Sequence, residues 1–215
     1  MRRKRSLWLL LVAALAGLQY AGRFTTGKPD RNVLYHYSTA IGSAVQYAII
    51  LGVVLWIGGL DRSVFALRRP RSWPRALGSM LALVVALSIA IGALDSVLHG
   101  GREQGLTPTR WEPSHAGAYA ASAVIVAGFG PVVEEVMFRG LGFYVLRPFG
   151  AWPAILGTGI AFGLYHGLVE GLPELTLFGI ALAWLRWRTD SVFPGMILHG
   201  TFNALSLVAA VTSSH

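Results

Sequence analysis

The chain has 215 residues, of which 54% are hydrophobic and only 13% are charged, and its mean hydropathy is +0.56. A soluble domain carries about a quarter charged residues, so the composition excludes an ordinary soluble domain and indicates a membrane protein. The lack of cysteine excludes a disulfide framework and thiolate catalysis. The net charge of +8 does not indicate a nucleic-acid partner, because the basic residues cluster at 1–5 and 68–75, beside apolar segments.

Seven apolar stretches come near the length of about 20 residues that a membrane-spanning helix needs. The sequence therefore predicts an all-α, polytopic transmembrane helix bundle of about seven spans. In chain order the stretches are 7–20, 37–60, 76–98, 116–146, 151–168, 173–187 and 192–211. The first follows a basic segment, as in a signal peptide. Cleavage after Ala21 would put Gln19 where a small residue is needed, so we interpret this stretch as an uncleaved anchor.

The arginines predict the orientation of these spans. If residues 1–5 lie in the cytoplasm, the arginine-rich loop 61–75 lies there as well, together with Arg147, Arg186 and Arg188 at helix ends. Cytoplasmic loops of membrane proteins carry an excess of lysine and arginine. We therefore expect an integral membrane protein with a cytoplasmic N-terminus. The bias towards Ala, Leu, Arg and Gly favours a bacterial cytoplasmic membrane.

The fourth apolar stretch contains Gly128, Gly130 and Pro131, which together predict that its helix is broken. Glu134 and Glu135 would then lie one turn into a new half-helix, whose positive dipole end favours ionised carboxylates. Broken helices are tolerated in a membrane only where they face protein or a wet cavity. The two glutamates are therefore expected to face protein or a wet intramembrane cavity.

Ionisable residues inside membrane segments are rare and usually functional. Glu135 and Arg139 are four residues apart, which predicts an ion pair on one helix face. Glu134 is turned by about 100° from Glu135. It has no charged neighbour one turn away, so it needs water or a residue from another helix. Charges at predicted helix ends, such as Glu174 and Arg186, are set aside. The polar candidates that remain in the last four stretches are Glu134, Glu135, Arg139, His166, His199 and Asn203.

Two other predicted helices can supply the partner that Glu134 lacks. Phe162 and His166 share one helix face, and His199 and Asn203 share another. A glutamate can act as a general base towards water, and a histidine with an amide can stabilise an oxyanion. These residues therefore predict a water-activating site lined by Phe162.

The polar residues fall into three motifs in a fixed order. EEVMFR (134–139) has the pattern EExxxR, FGLYH (162–166) has FxxxH, and HGTFN (199–203) has HxxxN. With these motifs the sequence resembles the CPBP family, which includes type II CaaX prenyl endopeptidases and bacteriocin-processing or immunity proteins. The resemblance divides a single membrane domain, 1–215, into three motif-free spans, 1–115, and a four-span catalytic core, 116–213.

The resemblance implies an intramembrane endopeptidase that hydrolyses peptide bonds of membrane-associated proteins or peptides. Glu134 would be the catalytic carboxylate, and His166 would help it to activate water. His199 and Asn203 would hold the oxyanion of the tetrahedral intermediate. The implied partners are membrane lipid and a peptide or membrane-protein substrate, while the substrate's identity and the oligomeric state are not readable from the sequence.

By the same resemblance, Glu135 and Arg139 would be a supporting ion pair that fixes the half-helix. The sequence also leaves a non-proteolytic immunity or scaffold protein of the same family open, in which the motif residues serve structure or partner binding. A small transporter would use Glu134 and the histidines as a proton relay. No inverted repeat, which many transporters have, is visible in the sequence.

A metal site is a further alternative, since proteins of this family are often described as metalloproteases. Glu134, His166 and His199 could form a three-ligand zinc site with an open fourth position. The HExxH pattern of zinc proteases is absent, however, and Asn203 is a poor zinc ligand but a good oxyanion donor. We therefore expect a glutamic-type hydrolase that needs neither a metal nor another cofactor.

The predicted depths of the site residues disagree. At a rise of about 1.5 Å per residue, Glu134 and His166 lie ~20 Å from the inner ends of their helices, but His199 lies only ~8 Å from its own. Helix tilt, or a seventh helix that begins within the bilayer, would remove this difference.

Overall fold

The computed structural model describes residues 1–24, 30, 32–103, 108 and 110–212. These residues form seven long helices and no strand, which confirms the predicted all-α bundle of about seven spans. Residue 213, the predicted end of the core, lies outside this part. The helices are α1 (Arg2–Gly22), α2 (Tyr37–Gly58), α3 (Trp73–Leu98), α4 (Pro113–Phe149), α5 (Ala151–Tyr165), α6 (Leu172–Thr189) and α7 (Phe193–Thr212). Short helical turns lie at Val33–Tyr35 and Gly100–Glu103 in the connections.

Five of the seven helices, α1 to α4 and α7, are long and apolar enough to cross a membrane. The apolar α5 is shorter, with 15 residues, and packs closely on α6. A Cβ atom on Gly159 would lie 2.8 Å from the backbone nitrogen of Ile180, and one on Gly179 would lie 2.7 Å from the carbonyl oxygen of Gly159. Small residues let helix backbones touch in this way. The α5–α6 pair is therefore held by its glycines at the interior of an integral membrane protein.

Helix α4 is continuous, so the prediction of a break at Gly128, Gly130 and Pro131 is wrong. Phe129 (φ −66°, ψ −43°) and Gly130 (φ −55°, ψ −56°) both have helical backbone angles. Instead of breaking, the helix widens into two π-helical segments, Ile125–Phe129 and Val136–Gly142. The wider turn accommodates the missing N–H of the proline without a break. Glu134 and Glu135 therefore lie in the middle of a helix and receive no support from a helix N-terminus.

Helix α1 is part of the main core of the bundle. Trp8 is 1% exposed, and its indole Nε1 donates a hydrogen bond to the carbonyl oxygen of Met137 at 3.0 Å. Gly142 makes room for the indole, because a Cβ atom there would lie 2.5 Å from Trp8 Cζ2. The Lys4 ammonium donates to the carbonyl oxygen of Gly58 at 2.7 Å, which fixes the start of α1 against the end of α2. Trp8 thus joins α1 to α4 beside the glutamates, and Lys4 joins α1 to α2.

The loop between α2 and α3 folds back into the bundle. Val64, Phe65 and Ala66 are buried, and the carbonyl oxygen of Ala66 accepts a hydrogen bond from the amide of Val192. This loop therefore covers the start of α7 at Phe193. His199 is therefore buried although it lies early in α7. Its Nε2 lies 3.7 Å from Glu134 Oε2, so the two side chains are at the same depth and the predicted difference disappears.

We expect Trp8→Ala to lower the free energy of unfolding by about 3 kcal/mol or more, because it leaves a cavity and an unpaired carbonyl in the core. Thermal unfolding of the purified protein in detergent measures this change. Leu10→Ala is the control, since Leu10 lies on the same helix but is 65% exposed. Equal losses of stability for the two variants would contradict the packing of α1 against α4.

Candidate active site

Glu134 finds on other helices the partners that its own helix lacks. Its side chain is buried, and Oε1 accepts a hydrogen bond from the hydroxyl of Tyr47 on α2 at 2.8 Å. The other oxygen, Oε2, lies 3.7 Å from Nε2 of His199 on α7. One carboxylate oxygen is thus held by a phenol, and the other faces an imidazole.

Glu135 and Arg139 form an ion pair that is completely buried. Arg139 Nη1 lies 3.0 Å from Glu135 Oε1, and Nη2 donates to the carbonyl oxygen of Gly179 on α6 at 2.9 Å. The guanidinium also stands 4.5 Å from the ring centroid of Phe162 on α5. An unpaired carboxylate would be costly at this depth, and the guanidinium neutralises it. Arg139 also connects α4 to α5 and α6.

His166 directly follows the last residue of α5, Tyr165, and its Nδ1 lies 2.8 Å from the carbonyl oxygen of Phe162. A carbonyl can only accept a hydrogen bond, so Nδ1 carries a proton. In the neutral imidazole, Nε2 is then unprotonated and is able to accept a proton. The ring packs against Phe162 with 4.6 Å between the ring centroids.

His199 stands between the two glutamates. Nδ1 lies 3.2 Å from Glu135 Oε1 and therefore carries a proton that it donates to this carboxylate. Nε2 faces Glu134, and only the imidazolium form has an N–H group on both nitrogens. The edges of the rings of Phe162 and Phe178 surround the imidazole at centroid distances of 5.5 and 5.3 Å. His199 is thus oriented by Glu135 and packed in aromatic surroundings.

Asn203 fills a hydrogen-bonding position that Pro131 leaves empty. In the π-helical segment, the amide of Gly130 donates to the carbonyl of Ile125, five residues earlier. The same register would pair the carbonyl of Val126 with residue 131, but proline has no N–H. Asn203 Nδ2 donates to the Val126 carbonyl oxygen at 2.8 Å instead. One N–H of this amide therefore fixes α7 to α4, and its second N–H has no acceptor among the described residues, so it is available to another group.

One cavity of about 400 Å³ joins the four residues that the sequence predicts to be catalytic. Glu134, His166, His199 and Asn203 all line it, together with Phe162. Glu135 and Arg139 do not line the cavity but lie behind Glu134 and His199. The structure thus brings together side chains from α4, α5 and α7, whose catalytic roles stay predictions.

Sequence reasoning missed two ionisable side chains that line this cavity, those of Tyr47 and Glu174. Tyr47 lies on a motif-free helix, and its signal is the pair of polar residues that it forms with Gln46 in the middle of a predicted span. Glu174 was set aside as a charge at a helix end, yet it is 4% exposed and lines the same cavity. A carboxylate in the first turn of a helix is favoured by the helix dipole, which explains its position at the start of α6.

The side chains do not fit the three-ligand zinc site considered from the sequence. Within the described residues, no group of three His, Cys, Asp or Glu side chains is arranged to hold a metal ion. We therefore derive no chemical step through a metal.

Comparisons with known proteins agree with the motifs. Neither the search of curated proteins nor the search of solved structures gave a match to this chain. A family model described as type II CAAX prenyl endopeptidase Rce1-like matches residues 116–205. The matched segment begins in α4, ends in α7 and contains all three motifs, whereas α1 to α3 lie outside it. Residues 116–205 are therefore similar to the Rce1-like family of type II CAAX prenyl endopeptidases.

Proposed function

We propose that the protein is an intramembrane endopeptidase that hydrolyses peptide bonds of membrane-associated proteins or peptides. The observation that carries this proposal is the single cavity lined by Glu134, His166, His199 and Asn203. Polar groups are expensive inside an apolar bundle, and packing alone does not need four of them around one space. A carboxylate, two imidazoles and an amide are together the groups that hydrolysis by an activated water needs.

In the first step, Glu134 acts as the general base. A water molecule beside Oε2 gives its proton to the carboxylate while its oxygen attacks the carbonyl carbon of the scissile peptide bond. Nε2 of His166 can accept a second hydrogen bond from this water, because its Nδ1 proton is already held by Phe162. Tyr47 holds Oε1, so the oxygen that faces the cavity is Oε2.

As the water oxygen bonds to the carbonyl carbon, the π electrons of the C=O bond move to the carbonyl oxygen, which becomes an oxyanion. His199, as imidazolium, and the second N–H of Asn203 stabilise this oxyanion. Both donors are held in place before the reaction, His199 by Glu135 and Asn203 by Val126. Glu134 then returns its proton to the leaving amine, and the intermediate collapses to the two products.

The charges around the cavity suit this sequence of steps. Glu135 and Arg139 neutralise each other. In this mechanism Glu134 is a carboxylate and His199, at 3.7 Å, is an imidazolium, so these two reacting groups are together neutral as well. When Glu134 takes a proton from water, a negative charge appears on the oxyanion beside the same imidazolium. The total charge of the buried site stays constant, which avoids the cost of creating an unpaired charge in apolar surroundings.

The orientation and location of the protein belong to the same proposal. Four basic residues lie at one end of the bundle. Three are near helix ends, Lys4, Arg147 and Arg188, and Arg68 lies in the loop between α2 and α3. The excess of basic residues in cytoplasmic loops supports a cytoplasmic position for this end and for the N-terminus. The composition supports a bacterial cytoplasmic membrane.

A non-proteolytic scaffold protein of the same family is the second candidate function. Its support is that three motif residues, Arg139, His199 and Asn203, form hydrogen bonds or ion pairs that join helices. These contacts would stabilise the bundle even in the absence of catalysis. Loss of cleavage without loss of stability in a Glu134 variant distinguishes the two functions.

We expect Glu134→Gln to lower the cleavage rate by about 100-fold or more, because the amide cannot take a proton from water. Membrane proteomes of cells carrying the parent or the variant identify the substrate, and purified protein in proteoliposomes then gives the rate. Glu170→Gln is the matched control, since Glu170 is an exposed carboxylate outside the cavity.

The amide of Glu134→Gln keeps an acceptor for Tyr47, and Glu135 remains as the carboxylate partner of His199. The variant should therefore stay folded, with a melting temperature close to that of the parent. Cleavage by the variant at the parent's rate would exclude Glu134 as the general base. No difference between the two proteomes, together with unchanged thermal stability, would favour the scaffold function.

We expect Tyr47→Phe to lower kcat by about tenfold, because it removes a hydrogen bond to the reacting carboxylate. Tyr119→Phe is the control, since its hydroxyl bonds the carbonyl of Leu207 outside the cavity. Equal effects of both variants on kcat, at equal loss of thermal stability, would show that Tyr47 has only a structural role.

We expect cleavage to persist after treatment with a zinc chelator, with less than one metal ion remaining per chain. The physical reason is that the site presents no three-ligand metal geometry among the described residues. Metal content and cleavage rate are measured on the same sample. Loss of activity that zinc restores would establish a metal mechanism and would assign Glu134, His166 and His199 as its ligands.

A further inference from the structure

A second cavity, of about 490 Å³, lies at the end of the bundle that carries the N-terminus. It shares no lining residue with the candidate active site. The loop between α2 and α3, the last turns of α4 and the end of α6 form its walls. Its charged lining residues are Arg68, Arg71, Arg147, Arg186, Arg188 and Asp190.

The charge of this arginine cavity is strongly unbalanced. Asp190 is its single acidic residue, and it is shared by Arg68 at 2.7 Å, Arg186 at 3.1 Å and Arg71 at 3.8 Å. Arg147 and Arg188 have no acidic partner within the described part of the chain. Five guanidinium groups against one carboxylate leave four positive charges uncompensated around one space. Positive charge concentrated in a concave site attracts anions.

Arg186 provides a second, independent indication of a ligand. Its side chain is only 9% exposed, and Nη1 is bound by Asp190. Its Nε atom, however, is buried and has no hydrogen-bond partner among the described residues. A buried guanidinium N–H without an acceptor is costly, and an anion in the cavity would provide one. The basic character of loops at this end of the protein does not explain an unsatisfied donor that is buried.

Aromatic residues place the arginine cavity beside the membrane surface. Trp187 lines the cavity and is 43% exposed, and Tyr144 lines it from α4. Nearby, the guanidinium of Arg5 stacks over the exposed ring of Phe149 at 4.7 Å. Tryptophan and tyrosine concentrate at the level of lipid headgroups. Basic pockets between membrane helices bind phosphate-bearing headgroups at this level.

We propose that the arginine cavity binds a phosphate group, carried by an anionic lipid headgroup or by a soluble phosphate compound. Arg147 and Arg188, for which the described residues offer no acidic partner, form the principal contacts. The buried N–H of Arg186 Nε donates to a phosphate oxygen. Guanidinium groups suit this ligand because their planar N–H pairs match two oxygens of a phosphate. The site is independent of the peptidase chemistry proposed above.

Native mass spectrometry of the protein in detergent tests the site with three probes: phosphatidylglycerol, phosphatidylcholine and inorganic phosphate. We expect phosphatidylglycerol to bind more tightly than phosphatidylcholine. The double variant Arg147→Gln/Arg188→Gln should weaken its binding by about tenfold or more. Inorganic phosphate that binds alone as tightly as the lipid, with the same loss in the variant, would support the site and assign it to a soluble phosphate compound.

The double variant Arg62→Gln/Arg69→Gln is the matched control. Both arginines are exposed and lie in the loop at the same end, but they do not line the cavity. This variant removes the same charge but leaves the lining of the cavity intact, so it should change the affinity for phosphatidylglycerol by less than about twofold. Equal losses in both double variants would overturn the proposal, because they would show a diffuse attraction to positive charge.

A structural defect is separated from a binding defect by a third variant. Arg147→Lys/Arg188→Lys keeps the charge but loses the paired N–H geometry, so it should restore part of the affinity lost in the glutamine variant. Thermal unfolding without lipid should be the same for all variants, since both residues are exposed. Unchanged phosphatidylglycerol affinity in Arg147→Gln/Arg188→Gln at unchanged thermal stability would also overturn the proposal.

Discussion

The structure depends on the neutralisation of charge inside an apolar bundle. Glu135 and Arg139 are completely buried, and His199 connects this pair to Glu134. Removal of one partner would leave an uncompensated charge, which costs far more than an exposed ion pair contributes. The contacts of these side chains therefore fix the relative positions of α4, α6 and α7. The same contacts orient the imidazole that the proposed mechanism uses, so the residues that stabilise the bundle also serve the proposed function.

The irregular course of α4 follows from the same site. Pro131 cannot donate a backbone hydrogen bond, and the helix responds by widening rather than by breaking. Each π-helical segment contains a carbonyl that accepts a side-chain hydrogen bond: Val126 from Asn203 and Met137 from Trp8. These two bonds hold the helix on both sides of Glu134. The irregularity thus gives α1 and α7 specific points of attachment beside the candidate catalytic residue.

The sequence predicts well what helical periodicity determines. It identifies seven helical stretches and assigns Phe162 with His166, and His199 with Asn203, to shared faces. Periodicity does not determine which faces of different helices meet, so the hydrogen bond from Tyr47 to Glu134 could not be found. The break predicted at Pro131 is wrong because the carbonyl of Val126, which has no backbone donor at the proline, is bound by the distant amide of Asn203. Glu174 was missed because a charge at a helix end usually faces solvent or headgroups, whereas here the packed helices bury it.

Helices α1 to α3 carry no motif, although α1 and α2 contact the helix that holds the candidate catalytic residue. Trp8 meets the carbonyl oxygen of Met137, and Lys4 meets that of Gly58. Carbonyl oxygens are present at every residue, so such contacts constrain the partner's sequence very little. The polar residues around Glu134 must instead match one another in charge and in hydrogen-bonding capacity. Tyr47 is the exception among the first helices, because its hydroxyl binds the carboxylate itself, and α2 therefore belongs to the site although it carries no motif.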